Sequence, residues 1–128
     1  MIQITPIYAG LLALLLLILS YNVVLGRRLH KVSVGDGDEK DLIKRMRAQS
    51  NWVEYAPMGI VLLALAELQG VSAVWLHLSG LSLLVGRFAH AYGFTRKPQI
   101  VPLRRIGMYL TLGSILVLSL INIASGLL

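Results

Sequence analysis

The amino-acid sequence predicts an all-α integral membrane protein, a bundle of four transmembrane helices forming one domain over residues 1–128. Three observations carry this. The 128 residues are 56% hydrophobic and only 14% charged, with a mean hydropathy of +0.73, outside the range of ordinary soluble domains. Four apolar stretches, Ile7–Leu25, Asn51–Leu68, Val71–Phe94 and Ile106–Leu128, would each measure roughly 27–36 Å as helices, against a hydrocarbon core of about 30 Å. Every Lys and Arg falls in the first–second or third–fourth connection, or within a turn or two of it. By the positive-inside rule both connections are cytoplasmic and both termini lie on the other side, a multi-pass topology that in a bacterium means the inner membrane. The formal charge of +6 is therefore a topology signal, and no nucleic-acid partner is expected.

The elements follow in order. The first helix, about 7–25, is preceded by the uncharged Met1–Pro6 and followed by Arg27-Arg28, the reverse of a secretory signal, so it is expected to be retained. Residues 26–41 form a cytoplasmic loop whose Ser33–Asp41 segment is Gly- and Asp-rich and non-periodic. It fails as a calcium loop because Lys40, Asp41 and Arg47 occupy positions that need other residues. The second helix is predicted over about 41–69 and the third over about 71–94. On the third, Ser79, Ser82, Gly86, Ala89 and Gly93 repeat at spacings of 3 and 4, a seam that lets helix backbones approach closely in lipid. Arg87, His90 and Phe94 form a neighbouring stripe, predicted to be buried. A second cytoplasmic loop, about 95–104, leads to the fourth helix at about 105–128.

The polar residues that a spanning helix does not need are the functional candidates, because charge inside a bilayer is costly. Arg47, Asn51 and Glu54 project from one face of the second helix within a sector of roughly 60°. With Arg27, Arg28, Arg87, Arg104, Arg105, Tyr55, His90, Tyr92 and Tyr109 they are expected to gather in one cation-rich cleft on the cytoplasmic side. Guanidinium groups in excess of carboxylate suit a zwitterionic or multiply anionic ligand. The chain has no cysteine, so thiol chemistry would use a thiol brought by the ligand. Glu67 is read as an interfacial residue, and Trp52 and Trp75 as members of aromatic belts. His30 and His77 are read as isolated, and no metal site is expected.

The run Arg47-Ala48-Gln49-Ser50-Asn51-Trp52-Val53-Glu54-Tyr55-Ala56-Pro57 resembles the signature of the MAPEG family, the membrane-associated proteins in eicosanoid and glutathione metabolism. Gly26-Arg27-Arg28 closing the first helix, Arg87 to His90 on the third and Arg105 to Tyr109 opening the fourth extend the resemblance over the whole chain. The ending His90-Ala91-Tyr92-Gly93-Phe94 looks most like the short bacterial members similar to microsomal glutathione transferases.

The resemblance implies a homotrimer with glutathione as thiol co-substrate, bound between neighbouring subunits near the cytoplasmic surface, and no metal. It implies that Arg47, Asn51, Glu54 and Tyr55 hold the γ-glutamyl end, that Arg27 meets the glycyl carboxylate, and that Arg87, His90, Tyr92 and Tyr109 complete the site. Arg105 is the implied catalytic residue, stabilising the thiolate, with Arg104 its competitor in register. Phe94 stands where many members have tyrosine. The expected function is a glutathione-dependent transferase or peroxidase acting on lipophilic electrophiles or lipid hydroperoxides from the bilayer. The rivals are a non-catalytic member that binds lipid or thiol, and a proton-coupled exporter using Glu54.

Overall fold

The computed structural model describes all residues, Met1–Leu128, and resolves them into α1 (Thr5–His30), α2 (Lys40–Leu68), α3 (Ala73–Thr95) and α4 (Val101–Leu127). The helices run up and down in sequence, so the basic ends of all four gather at one end of the bundle. Helix α1 continues a turn past its apolar stretch. It stops where Lys31 turns left-handed (φ 56°) and returns its backbone N–H to the Arg27 carbonyl.

Helices α2 and α3 lie in the middle, with α1 against both, α4 against both, and no contact between α1 and α4. Both outer helices are long and apolar enough to cross a bilayer. The two central helices are long enough, but α2 carries Asn51, Glu54 and Glu67, and α3 carries His77, Arg87 and His90, so their composition alone does not mark them as spans. Large hydrophobic side chains are exposed along every helix, among them Leu14, Leu17, Val61, Leu78, Leu116 and Leu120. Apolar surface on that scale calls for lipid or a partner.

The inward stripe of α2, Ala48, Trp52, Ala56, Gly59, Leu63 and Ala66, is buried at spacings of 3 and 4. It packs with Leu12, Leu15, Leu19, Leu83 and Ala91 in one cluster and with Tyr8, Leu76 and Leu118 in another. Trp52 belongs to this core and not to a belt: it is buried, and its indole N–H donates to the Leu12 carbonyl at 3.1 Å. An indole in the core needs such an acceptor.

The predicted seam of α3 faces α4. Ser79, Gly86 and Gly93 are buried there. The Ser82 hydroxyl donates to the Leu110 carbonyl at 3.0 Å, and the Ser114 hydroxyl to the Ser79 carbonyl at 3.2 Å. The closest approach centres on Gly107, where a Cβ would meet the His90 backbone nitrogen and lie 2.6 Å from the Gly86 carbonyl oxygen.

Two polar clamps hold the ends. At one, Glu67 reaches across to α1 and accepts the backbone N–H groups of Gln3, Ile4 and Thr5 at 2.6–2.7 Å. This carboxylate caps a helix start that has no side-chain cap of its own, a specific role beyond the interfacial one read from sequence. His77 is not isolated there, since the Tyr8 hydroxyl lies 2.8 Å from its Nδ1.

At the basic end Asp41 is the hub. Its carboxylate pairs with Lys97, with His30 Nε2 at 2.9 Å and with Arg45 Nε at 3.0 Å. This corrects the isolated reading of His30, which also lies 3.5 Å from Glu39. Hydrogen bonds from Lys97 and then His30, with help from Arg45 and against the opposing effect of burial, hold the Asp41 carboxyl well below the usual carboxylate range.

Gly107→Ala is expected to destabilise the α3–α4 pair by about 1–3 kcal/mol, because the opposing atoms are backbone and cannot repack. Gly113→Ala, with nothing within 4 Å of its Cβ, should not destabilise and gains up to about 1 kcal/mol of helix propensity; thermal unfolding in detergent measures both. For Asp41, a pKa lower in the folded state contributes stability that is complete above its ordinary value of 3.8 and is lost as pH falls below it. Asp41→Asn should therefore lower the melting temperature at neutral pH, and the gap from the parent protein should close in acid.

Candidate functional site

The side chain that organises the polar interior is Arg87. It sits on α3 beside the glycine seam and is 2% exposed. Its Nε donates to the Thr111 hydroxyl at 3.0 Å and one terminal nitrogen approaches Met108 Sδ at 3.2 Å, both on α4. The other terminal nitrogen donates to Asn51 on α2, to both the side-chain oxygen and the backbone carbonyl, the latter at 3.1 Å. The guanidinium also lies 5.6 Å from the Tyr55 ring centroid, within cation–π reach. Its partners are neutral: no carboxylate pairs with it.

Asn51, Tyr55 and Arg87 are thus brought together by three helices. The Asn51 side-chain oxygen is used by Arg87, while its amide nitrogen and the Tyr55 hydroxyl bond nothing within the chain. His90 lies one turn further along α3, 4% exposed, stacked on Phe94 at 5.5 Å between centroids. Arg104 turns inward to the same ring at 5.4 Å and donates to the Gln99 side chain at 3.0 Å.

Arg47 and Glu54 remain on α2 but face outward. They pair with each other at 3.4 Å, their side chains 56% and 46% exposed. Arg105 and Tyr109 share an outward face of α4, and Tyr109 is 71% exposed. The structure therefore separates the two competing arginines: Arg104 points into the bundle and Arg105 away from it.

The expected single cleft does not form within one chain. Arg27 is taken up by the α1–α2 loop, donating to the Gly35 carbonyl at 2.7 Å and the Val32 carbonyl at 3.4 Å. Tyr92 is half exposed on another face of α3, where Arg96 lies over its ring at 4.2 Å. The physical reason is helical phase. Residues that share a membrane depth need not share an azimuth, and burial of the Ala48–Ala66 stripe fixes which way α2 turns.

Sequence reasoning also missed polar residues. Arg45 donates to the Asn22 side chain at 2.8 Å and backbone carbonyl at 3.0 Å on α1, passing beside Gly26, where a Cβ would meet its side chain at 2.6 Å. Gly26 adjacent to a basic pair was the available signal. Lys44, next in sequence, donates to the Arg96 carbonyl. Burial and then the like charge of Lys97 hold its ammonium below the usual lysine range. Thr111 and Met108 carried no sequence signal, because a threonine and a methionine in an apolar helix are unremarkable until Arg87 reaches them.

These features can be set beside known proteins. The model of the MAPEG family matches residues 5–124. The chain is 38% identical over 121 residues to the inner membrane protein YecN of Escherichia coli strain K12, which covers 94% of this chain and 91% of that protein. Identity and coverage are the same for YecN of Escherichia coli O6:H1 strain CFT073. Both matches are long enough to take in all four helices, and the family match includes the Arg87 cluster, the Arg47–Pro57 run and the Arg105–Tyr109 pair. The chain belongs to the MAPEG family.

Proposed function

We propose that the protein is a glutathione-dependent transferase or peroxidase of the inner membrane that acts on lipophilic electrophiles or lipid hydroperoxides. The observation that carries this is the buried Arg87 guanidinium held by neutral groups alone, which leaves a positive charge uncompensated inside the bundle. Such a site favours an anionic ligand. The Asn51 amide nitrogen and Tyr55 hydroxyl, free within the chain, are donors beside it.

The topology belongs to the same reading. Helices α2 and α3 are packed between two helices able to span, so all four cross together, and the basic loops face the cytoplasm with both termini opposite. Arg47, Glu54, Arg105 and Tyr109 are then exposed on a membrane protein's flank, where charge is expensive. A second copy covering them removes that cost, and a homotrimer of this chain closes the site between subunits.

The donor set fits glutathione. Two guanidinium groups, Arg47 and Arg105, are available to carboxylates or to sulfur, and Glu54 accepts an ammonium group in exchange for Arg47. Bound there, glutathione supplies a thiol of ordinary pKa about 8.5 that becomes an effective nucleophile as thiolate. Arg105, which has no partner within the chain, stabilises that charge. Arg87 positions Asn51 and Tyr55 and does not itself leave the interior. The cations gathered around Glu54, with Arg47 beside it, weigh against a proton-coupled exporter of cations, which needs an acidic site in a cation-attracting cavity.

Titration of the purified protein with reduced glutathione should produce thiolate absorbance in the far ultraviolet at neutral pH. Binding without that signal would favour a non-catalytic member, and no binding at saturation would sink the thiol reading. Arg105→Ala should retain glutathione affinity and lose turnover, about 10²-fold or more if the guanidinium acts as an oxyanion-type donor to sulfur. Unchanged turnover moves the role to Arg104. The orientation is tested separately, with single cysteines at Ser33 and Gln3 in this cysteine-free chain. A membrane-impermeant thiol reagent added to intact cells should label Gln3→Cys and spare Ser33→Cys.

A further inference from the structure

Helices α1 and α3 touch least of all the packed pairs, and at the basic end of the bundle a groove of about 390 Å³ opens between them. That is within the usual range for small-ligand pockets, about 300–1,000 Å³. Leu15, Leu19, Phe88 and Ala91 contribute an apolar lining, and Ile18 stands on its exposed rim. Towards the end of the helices the chemistry changes. Tyr92 carries Arg96 stacked on its ring, and Asn22 and Thr95 also line the groove.

A smaller polar cavity of about 80 Å³ shares Asn22 and Thr95 with the groove and adds Asp41, Lys44, Arg45 and Lys97. Lys44 donates to the Arg96 backbone carbonyl, which joins the polar cavity to the Arg96 end of the groove. Four cations, Lys44, Arg45, Arg96 and Lys97, face the single carboxylate of Asp41 in these two linings, a surplus of three.

We infer that this groove holds one anionic phospholipid of the surrounding bilayer, with an acyl chain along Leu15, Leu19, Phe88 and Ala91 and its phosphate against Arg96 and Lys44. The apolar part opens through Ile18 onto the lipid-exposed flank of α1. The cationic part lies where headgroups lie, and basic pockets between membrane helices on the cytoplasmic side select anionic headgroups. Charge complementarity decides for an anionic lipid over a zwitterionic one, because acyl chains alone do not distinguish them. The inference rests on the cytoplasmic placement of this end. It does not use the thiol site, and it gives Tyr92 a different task, as the platform that holds Arg96.

The test uses the full chain in nanodiscs of equal phosphatidylglycerol and phosphatidylcholine, released and weighed by native mass spectrometry. The expected result is one phosphatidylglycerol retained per chain in preference to phosphatidylcholine. Lys44→Ala and Arg96→Ala should each reduce retention by about fivefold, while Lys31→Ala, on the exposed end of α1, has no effect. Ile18→Trp should reduce retention of the lipid without removing any charge. Equal retention of the two lipids overturns the proposal, as does retention unaffected by Arg96→Ala, or by the milder Arg96→Gln if the alanine variant fails to fold. So does an Ile18→Cys variant that forms a disulfide between copies and carries no lipid, which would make a second chain the occupant. Glutathione titration of the same variants should match the parent protein, so failure of the thiol reading and failure of the lipid site are read from different signals.

Discussion

Burial of the Arg87 guanidinium is the constraint on which the rest of the bundle depends. A cation taken out of water among apolar helices must have its donors satisfied, and here that takes atoms from two other helices: Asn51 on α2, and Thr111 and Met108 on α4. The side chain is too short to gather them unless the backbones are close. Gly86 and Gly107 provide that closeness, since the approach of α3 to α4 leaves no room for a Cβ on Gly107. The glycine seam and the buried arginine are therefore one device: the first sets the distance and the second uses it. Together with the buried Ala48–Ala66 stripe, the Arg87–Asn51 contact sets the azimuth of α2, and with it the outward placement of Arg47 and Glu54.

Helix α1 is held differently. It does not touch α4 and touches α3 only sparsely, so its attachment relies on the α2 core stripe and on the polar clamps at its ends. Glu67 satisfies the N–H groups of its first turn, Arg45 ties Asn22 near its other end, and the Asp41 hub secures His30. This arrangement leaves the α1–α3 boundary incompletely filled near the basic end. The cations gather at this same end, Lys44 and Arg45 from the first turns of α2 and Arg96 and Lys97 from the connection after α3. A membrane protein can tolerate such a gap where lipid fills it.

Much of this was legible in the sequence, for reasons that can be named. The apolar stretches and the basic clusters gave four helices and their common polar end, because hydrocarbon thickness and charge cost act on composition directly. The small-residue seam on α3 and the buried stripe beside it were legible because both follow from helical periodicity. The run from Arg47 to Pro57 carried the family resemblance. The errors share one origin. The belt reading of Trp52 and the isolated reading of His30 and His77 fail because depth along a helix is readable from sequence whereas azimuth and the reach of distant partners are not.

Sequence by itself determined that this is a four-helix, lipid-adapted chain of the MAPEG family with an excess of cations at one end, because these properties depend on which residues are present and at what period. Only the tertiary structure decided which of those cations face inward. It buries Arg87 on Asn51 and Tyr55, turns Arg104 towards Phe94, leaves Arg105 and Tyr109 outside, and gives Asp41 its ring of partners. The physical reason is that a helix fixes the relative angles of its own residues, while the absolute rotation of each helix is set by packing against the others. Glycine contacts and buried hydrogen bonds between residues tens of positions apart choose that rotation.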